Sequence, residues 1–199
     1  MIQAIQTLLT SLAISFDLPI LDWIQANLQC GILDVLMPII TYFGEDGIGW
    51  IAWAVLLLFF KKHRKTGLGM AFAMIIGLVV CNMTLKPLIG RIRPYDFQAE
   101  LGITIDLLVH GLHDYSFPSG HTIASIEAAT EILINNKKMG IPAMILAVLI
   151  AFSRLYLYVH YPTDVLVSIV LGVAIAFLAN WLAGLCYRNF KKGKYEKTA

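Results

Sequence analysis

The chain has 199 residues, of which 58% are hydrophobic and 14% charged, with a formal net charge of +2 and a mean hydropathy of +0.74. A soluble domain carries roughly 25% charged residues, so this balance excludes an ordinary cytosolic enzyme, and no nucleic-acid partner is expected. Cys30, Cys81 and Cys186 lie far apart without ligand-like spacing and read as small packing residues.

At the N-terminus there is neither the basic start nor the small-residue cleavage site of a secretory signal, so this segment is expected to remain in the mature protein. Residues 1–20 are apolar enough to insert into a bilayer. Within 17–43, Leu21, Ile24 and Leu28, then Ile32, Leu33, Leu36, Ile39 and Ile40 recur every three to four positions, the pattern of helices lying along an interface. Five further stretches, 46–60, 67–89, 119–136, 140–159 and 163–187, approach the roughly 20 residues needed to cross a hydrocarbon core. They are bounded by Lys61-Lys62-His63-Arg64-Lys65, by Lys137-Lys138-Met139-Gly140, by Pro162 and by Arg188. The expectation is an all-α, polytopic transmembrane bundle forming one integral-membrane domain over 1–199. Its parts are N-terminal span and interfacial helices at 1–43, a main bundle at 46–187 and a basic tail at 188–199. Six crossings are expected, with residues 1–20 inserting as the first; five is the alternative if they do not.

An alternating path puts Lys61, Lys62, Arg64, Lys65, Lys137, Lys138 and the five basic residues from Arg188 to Lys197 on one side, which the positive-inside rule makes cytoplasmic. The other four cations, Lys86, Arg91, Arg93 and Arg154, fall toward the opposite ends of their spans. A charge at membrane depth costs about 2.5 to 3.5 kcal/mol on insertion scales, so cations kept there need a reason. Snorkelling to the interface is one, and binding a phosphate is another. Lys86 and Arg93 are two helical turns apart if the span continues, with Pro94 ending it.

Pro118-Ser119-Gly120-His121 opens an apolar run. Ser119 suits an N-cap, Gly120 has no Cβ, and a helix start offers N–H groups to an anion; His121 on the first turn could pass a proton to a leaving oxygen. Ser153-Arg154 closes one span and His160 precedes the next, with Asp164 four residues later. That step lets Asp164 accept a hydrogen bond from one imidazole nitrogen and leaves the other free to attack phosphorus. Asp164 and His160 could also be two metal ligands, but the surrounding cations would repel a metal and no second histidine stands at ligand spacing.

Taken together, Lys86 with Arg93-Pro94, Pro118 to His121, and Ser153-Arg154 with His160 and Asp164 resemble the type 2 phosphatidic acid phosphatase superfamily. Its signature is Lys, six residues, Arg-Pro; then Pro-Ser-Gly-His; then Ser-Arg, five residues, His, three residues, Asp. The resemblance runs from about Asp46 to Leu185. It implies a helical-bundle phosphatase without metal or cofactor, in which His160 forms a phosphohistidine, Asp164 orients it and His121 protonates the leaving group. Lys86, Arg93, Ser119, Gly120 and Arg154 would hold phosphate oxygens. Small bacterial members act on undecaprenyl diphosphate or phosphatidylglycerol phosphate, and the former is the expected substrate, in the plasma membrane with the active face outside. Phosphatidic acid hydrolysis and phosphoryl transfer to a second lipid are the alternatives.

Some residues fall outside that pattern. Arg91 could touch a second phosphate or a headgroup. His110 and His113 read as solvated loop histidines, and Asp96, Glu100, Asp106 and Asp114 of the same loop could salt-bridge the basic rim. Glu127 lacks a spare cation and is expected to face the bundle interior, whereas Glu131 is expected near interfacial water by Lys137. Ser168 permits close helix approach where relatives often carry Gly.

Overall fold

The computed structural model describes residues 2–196, with side chains over 5–188, and every regular element among them is helical. Residues 189–199 of the basic tail lie outside the described side chains. Helix α1 (Ile2–Leu12) passes through a π-helical turn, Ala13–Asp17, into α2 (Leu18–Leu28). Then come α3 (Gly31–Phe43), α4 (Ile48–Phe59) and α5 (Arg64–Leu78), which continues through a second π turn, Val79–Leu85, into the short α6 (Lys86–Ile89). After α7 (Pro94–Glu100) and a loop follow α8 (Gly120–Asn135), α9 (Lys137–Tyr156) and α10 (Pro162–Glu196).

Helix α8 is the centre, packed against α5, α9 and α10. Its composition explains why: Ser125, Ala128, Ala129 and Ile132 are completely buried, and small residues let neighbouring axes come close. Trp50 of α4 donates its indole N–H to Ser125 Oγ at 3.0 Å, which pairs the one polar atom of a buried ring. A single residue, Asn136, joins α8 to α9. Its side chain accepts from the N–H groups of Lys138 and Met139, so α9 starts at Lys137 and not at 140, because a capped joint stands where the sequence suggested a breaker. A Cβ on Gly140 would overlap the backbone of Leu133. Gly140→Ala should therefore push α8 and α9 apart at a cost of about 1–3 kcal/mol. A lowered unfolding midpoint in detergent checks this; an unchanged midpoint would contradict the close packing.

Among the described residues, Ile5–Leu28, Arg64–Glu100, Lys137–Tyr156 and Pro162–Arg188 are long and apolar enough to cross a membrane. The pair Gly31–Phe43 and Glu45–Phe59, bent by 40°, makes a fifth if it is one span. Helix α8, expected as a span, has only 16 residues, short of the roughly 20 required; longer neighbours enclose it. The apolar N-terminal stretch does not stop near residue 20 but runs on to Leu28, since Pro19 sits in the first turn of α2, where a missing N–H costs little. Side chains such as Ile75, Val170, Phe177 and Trp181 are exposed on the outside of the bundle, an apolar surface suited to lipid.

Candidate active site

The three motif segments meet at one end of the bundle, around a cavity of about 610 Å³. Lys86, Arg93, Gly120, His121 and His160 line it together with Asp114. Ser119 and Asp164 are fully buried, as is Arg154 to 2% exposure, close enough for its charge to act on His160.

The first segment is bent, not continuous. Gly90, at φ 63, ends α6 in the left-handed region that glycine adopts freely, so Lys86 and Arg93 do not share one helix face. Arg93 is extended and Pro94 starts α7 instead of ending a span. Lys86 Nζ makes a short ion pair with Asp114 Oδ2, and Arg93 NH2 meets Asp114 Oδ1 at 2.5 Å. Arg93 also donates from Nε to Asp114 O at 2.9 Å and from NH1 to Val159 O at 2.7 Å. The suggestion that loop acids pair with the basic rim thus applies to Asp114. Burial alone would raise its pKa, but the hydrogen bond from Lys86 and the charge of Arg93 hold it down at about 2.

Ser119 is the N-cap of α8, where its Oγ accepts from Thr122 N at 3.4 Å and from Thr122 Oγ1 at 2.9 Å. Ser168 Oγ accepts from Ser119 N at 2.8 Å and donates to Asp164 O at 2.6 Å, so this serine ties two motif segments together. The N–H groups of the first turn of α8, at Gly120 and His121, have no intrahelical acceptor by helix geometry. His121 Nε2 lies 3.5 Å from Glu45 Oε2 on the turn before α4, and among the described residues no hydrogen-bond partner completes it.

His160 sits on the turn between α9 and α10. Its Nε2 is 3.3 Å from Arg93 NH1. A guanidinium only donates, so if this contact is a hydrogen bond the Nε2 lone pair accepts it and the ring proton is on Nδ1. Nδ1 faces Asp164 Oδ2 at 3.7 Å, longer than the expected hydrogen bond. The carboxylate is engaged elsewhere: Arg91 NH1 and Ser116 Oγ each reach it at 2.5 Å and Tyr161 N at 3.1 Å. Burial, then the charges of Arg93 and Arg154, push the pKa of His160 below the usual imidazole range, so the ring is neutral. Arg154 NH1 donates to Thr41 Oγ1 at 2.5 Å, and its Nε is buried without a partner among the described residues.

This turn is held from the N-terminal helices. Tyr158 has φ 58, a strained conformation for an aromatic residue, costing roughly 1–3 kcal/mol. Its hydroxyl donates to Asp22 at 2.6 Å and accepts from Gln98 at 3.0 Å. The Tyr156 hydroxyl donates to Asp34 at 2.6 Å, and Gln25 donates to the Tyr156 carbonyl at 2.7 Å. Arg91 corrects the sequence reading most sharply. It does not face a ligand but lies buried between Asp17, at 2.7 Å, and Asp164, with its guanidinium 3.8 Å from the Tyr161 ring centre. An arginine with two carboxylate partners and an aromatic ring has found its compensation inside the protein.

Glu127 is buried, lines the cavity and abuts Gly77 of α5. Glu131 is not at interfacial water: it is fully buried against Gly69, with Asn135 donating to it at 2.9 Å, because the joint at Asn136 keeps that end of α8 enclosed. His110 and His113 are exposed in the loop, as expected.

Residues 66–188 match the PAP2 superfamily model. The chain is 36% identical over 167 residues to an undecaprenyl-diphosphatase of Sulfolobus acidocaldarius, covering 83% of this chain and 78% of that protein. It is 33% identical to the undecaprenyl-diphosphatase BcrC of Bacillus subtilis, over 74% and 73% of the two chains. Among solved structures it resembles the transmembrane PAP2-type phosphatidylglycerolphosphate phosphatase from Bacillus subtilis, with a TM-score of 0.61 and 30% identity, covering 77% of this chain and 78% of that one. Among the described residues, four apolar helices long enough to cross a membrane, and a bent pair that makes a fifth if it is one span, carry a cation-lined cavity at one end of the bundle. The chain belongs to the PAP2 superfamily and is a multi-pass membrane protein.

Proposed function

We propose that the protein is a membrane lipid phosphatase that converts undecaprenyl diphosphate to undecaprenyl phosphate through a phosphohistidine. The observation that carries this reading is His160 Nε2 beside Arg93 in a cavity shared with Lys86 and His121. Nε2 attacks the terminal phosphorus as the bond to the bridging oxygen breaks, and His121 delivers a proton to that oxygen. Water then attacks the phosphohistidine, releasing inorganic phosphate and restoring the imidazole. The transition state spreads negative charge over three equatorial oxygens, which Lys86, Arg93, Arg154, Ser119 and the N–H of Gly120 stabilise without reorganising. Asp164, held by Arg91 and Ser116, orients the His160 ring from its Nδ1 side and stabilises the positive charge that develops on it, the proton staying on Nδ1.

The similarity of this chain to two proteins named undecaprenyl-diphosphatase favours the polyprenyl diphosphate over phosphatidylglycerol phosphate or phosphatidic acid. The whole chain acts as one domain. Its basic loops and C-terminus face the cytoplasm, so the site opens on the outer face of the plasma membrane. The contacts of the N-terminal helices favour five crossings, by α4, α5, the enclosed α8, α9 and α10, over the expected six. Leu9 O, Asp17, Asp22 and Gln25 reach Arg91, Thr163, Tyr158 and Tyr156, all at the site end of the bundle, as suits helices laid across that end.

Detergent-purified protein with chelator present should release phosphate fastest from undecaprenyl diphosphate in a panel with phosphatidylglycerol phosphate, phosphatidic acid and a soluble sugar phosphate. A faster glycerolipid would move the substrate assignment, and loss of activity in chelator would overturn the metal-free mechanism. Phosphate released only when an acceptor lipid is added would make it a phosphotransferase.

A further inference from the structure

Arginine binds phosphate best through the parallel donors of its Nε and NH2 edge. On Arg93 that edge is wholly taken by one residue: Nε donates to the main-chain carbonyl of Asp114 at 2.9 Å and NH2 to Asp114 Oδ1 at 2.5 Å. The other carboxylate oxygen holds Lys86. Arg93 NH1 is directed at Val159 O and His160. A phosphoryl group within reach of His160 therefore cannot engage the Arg93 fork while Asp114 stays where it is, and must share Lys86, which has three donors, with that carboxylate.

The chain around Asp114 is built to let it leave. Leu112 is pinned by Tyr95, whose hydroxyl donates to Leu112 O at 2.7 Å and accepts from Leu112 N at 2.9 Å. Ser116 is pinned by Arg91 O, which accepts its N–H at 2.8 Å, and by Asp164. Between these anchors lie only His113, Asp114 and Tyr115, all exposed, with the Asp114 side chain 51% accessible while Lys86 and Arg93 are buried. A carboxylate is a smaller anion with the same donor preferences as a phosphoryl group, so three residues can swing outward without unpinning either flank.

We propose that Asp114 is an internal surrogate for phosphate: its carboxylate occupies the Lys86 and Arg93 subsite between turnovers, gives way to the phosphoryl group of the lipid, and returns to expel inorganic phosphate. This rests on the reading of Lys86 and Arg93 as phosphate-binding. Two consequences follow from competition for the same donors. Substrate binds more weakly than the bare cations would allow, and product inhibition is relieved.

The test measures kcat, KM and inhibition by inorganic phosphate for wild type, Asp114→Asn, Asp114→Ala and Asp114→Glu on undecaprenyl diphosphate. Removing the charge in Asn and Ala should lower KM and tighten inhibition by phosphate, each by about tenfold or more, the scale of one charge-assisted hydrogen bond. Glu, which keeps the charge, should stay near wild type in phosphate inhibition. If Asp114 merely positions Lys86 and Arg93, the Asn and Ala variants will instead raise KM and weaken phosphate inhibition, which overturns the proposal, as do unchanged constants. Should Asn and Ala not fold, Glu inhibited by phosphate at least tenfold more tightly than wild type overturns it, and Glu at the wild-type value supports it. A wild-type protein that releases no phosphate from any lipid defeats the phosphatase reading itself; hydrolysis with unchanged inhibition defeats only the surrogate.

Discussion

His160→Ala will release phosphate at less than about one ten-thousandth of the wild-type rate, since removing a nucleophile takes away the covalent route and leaves only binding and electrostatics. The environment of this imidazole makes the effect large. It is 1% exposed, its Nε2 lies 3.3 Å from Arg93, and burial with the charges of Arg93 and Arg154 keeps it neutral. Because the pKa is lowered, the free-enzyme nucleophile stays unprotonated as pH falls through the ordinary histidine range. The acid limb of kcat/KM should accordingly not reflect His160 near its usual value. Rapid quenching of wild type with terminally labelled substrate should trap an acid-labile, alkali-stable label that the Ala variant lacks. A variant retaining a tenth of the activity would rule out the phosphohistidine.

His121→Gln should cost about 10²–10⁴ in kcat, the usual worth of a positioned general acid, and the loss should depend on the leaving group. In a diphosphate the departing group is a phosphate, a weak base that needs little help; in a phosphomonoester it is an alkoxide, which needs a proton. The variant should thus lose much more activity toward phosphatidic acid than toward undecaprenyl diphosphate. Equal losses on both would mean that His121 holds the phosphoryl oxygens and does not protonate the leaving group. Burial and the charges of Arg154, Lys86 and Arg93 push the pKa of His121 down to about 2, so the free ring is neutral, and this role requires the negative charge of the bound substrate, with Glu45 3.5 Å from Nε2, to restore the proton.

The polar groups at the site were legible because a low-charge chain has few cations to place, and the four that oppose the positive-inside pattern include every proposed phosphate-binding cation. The residues that support them were not. Asp17, Asp22 and Asp34 belong to no motif of the sequence, yet they hold Arg91, Tyr158 and Tyr156. Thr41 and Glu45 gave no signal at all, and Asp114 looked like one loop acid among four. Sequence spacing exposes partners one helical turn apart, but these pairs are separated by as much as 136 positions, and only the packed fold brings them together. Helix boundaries failed for a local reason: the Gly90 turn and the Asn136 cap redirect the chain without changing its hydropathy.

The strained Tyr158 turn is steadied by Asp22 and Gln98, and Tyr156 just before it by Asp34 and Gln25; of these four, all but Gln98 lie upstream of the 66–188 stretch that the family shares. The leading helices are therefore a splint and not an optional leader. A chimera that grafts the shared stretch onto another relative's N-terminus would keep every signature residue and still work poorly, unless the donor brings carboxylates that meet both tyrosines.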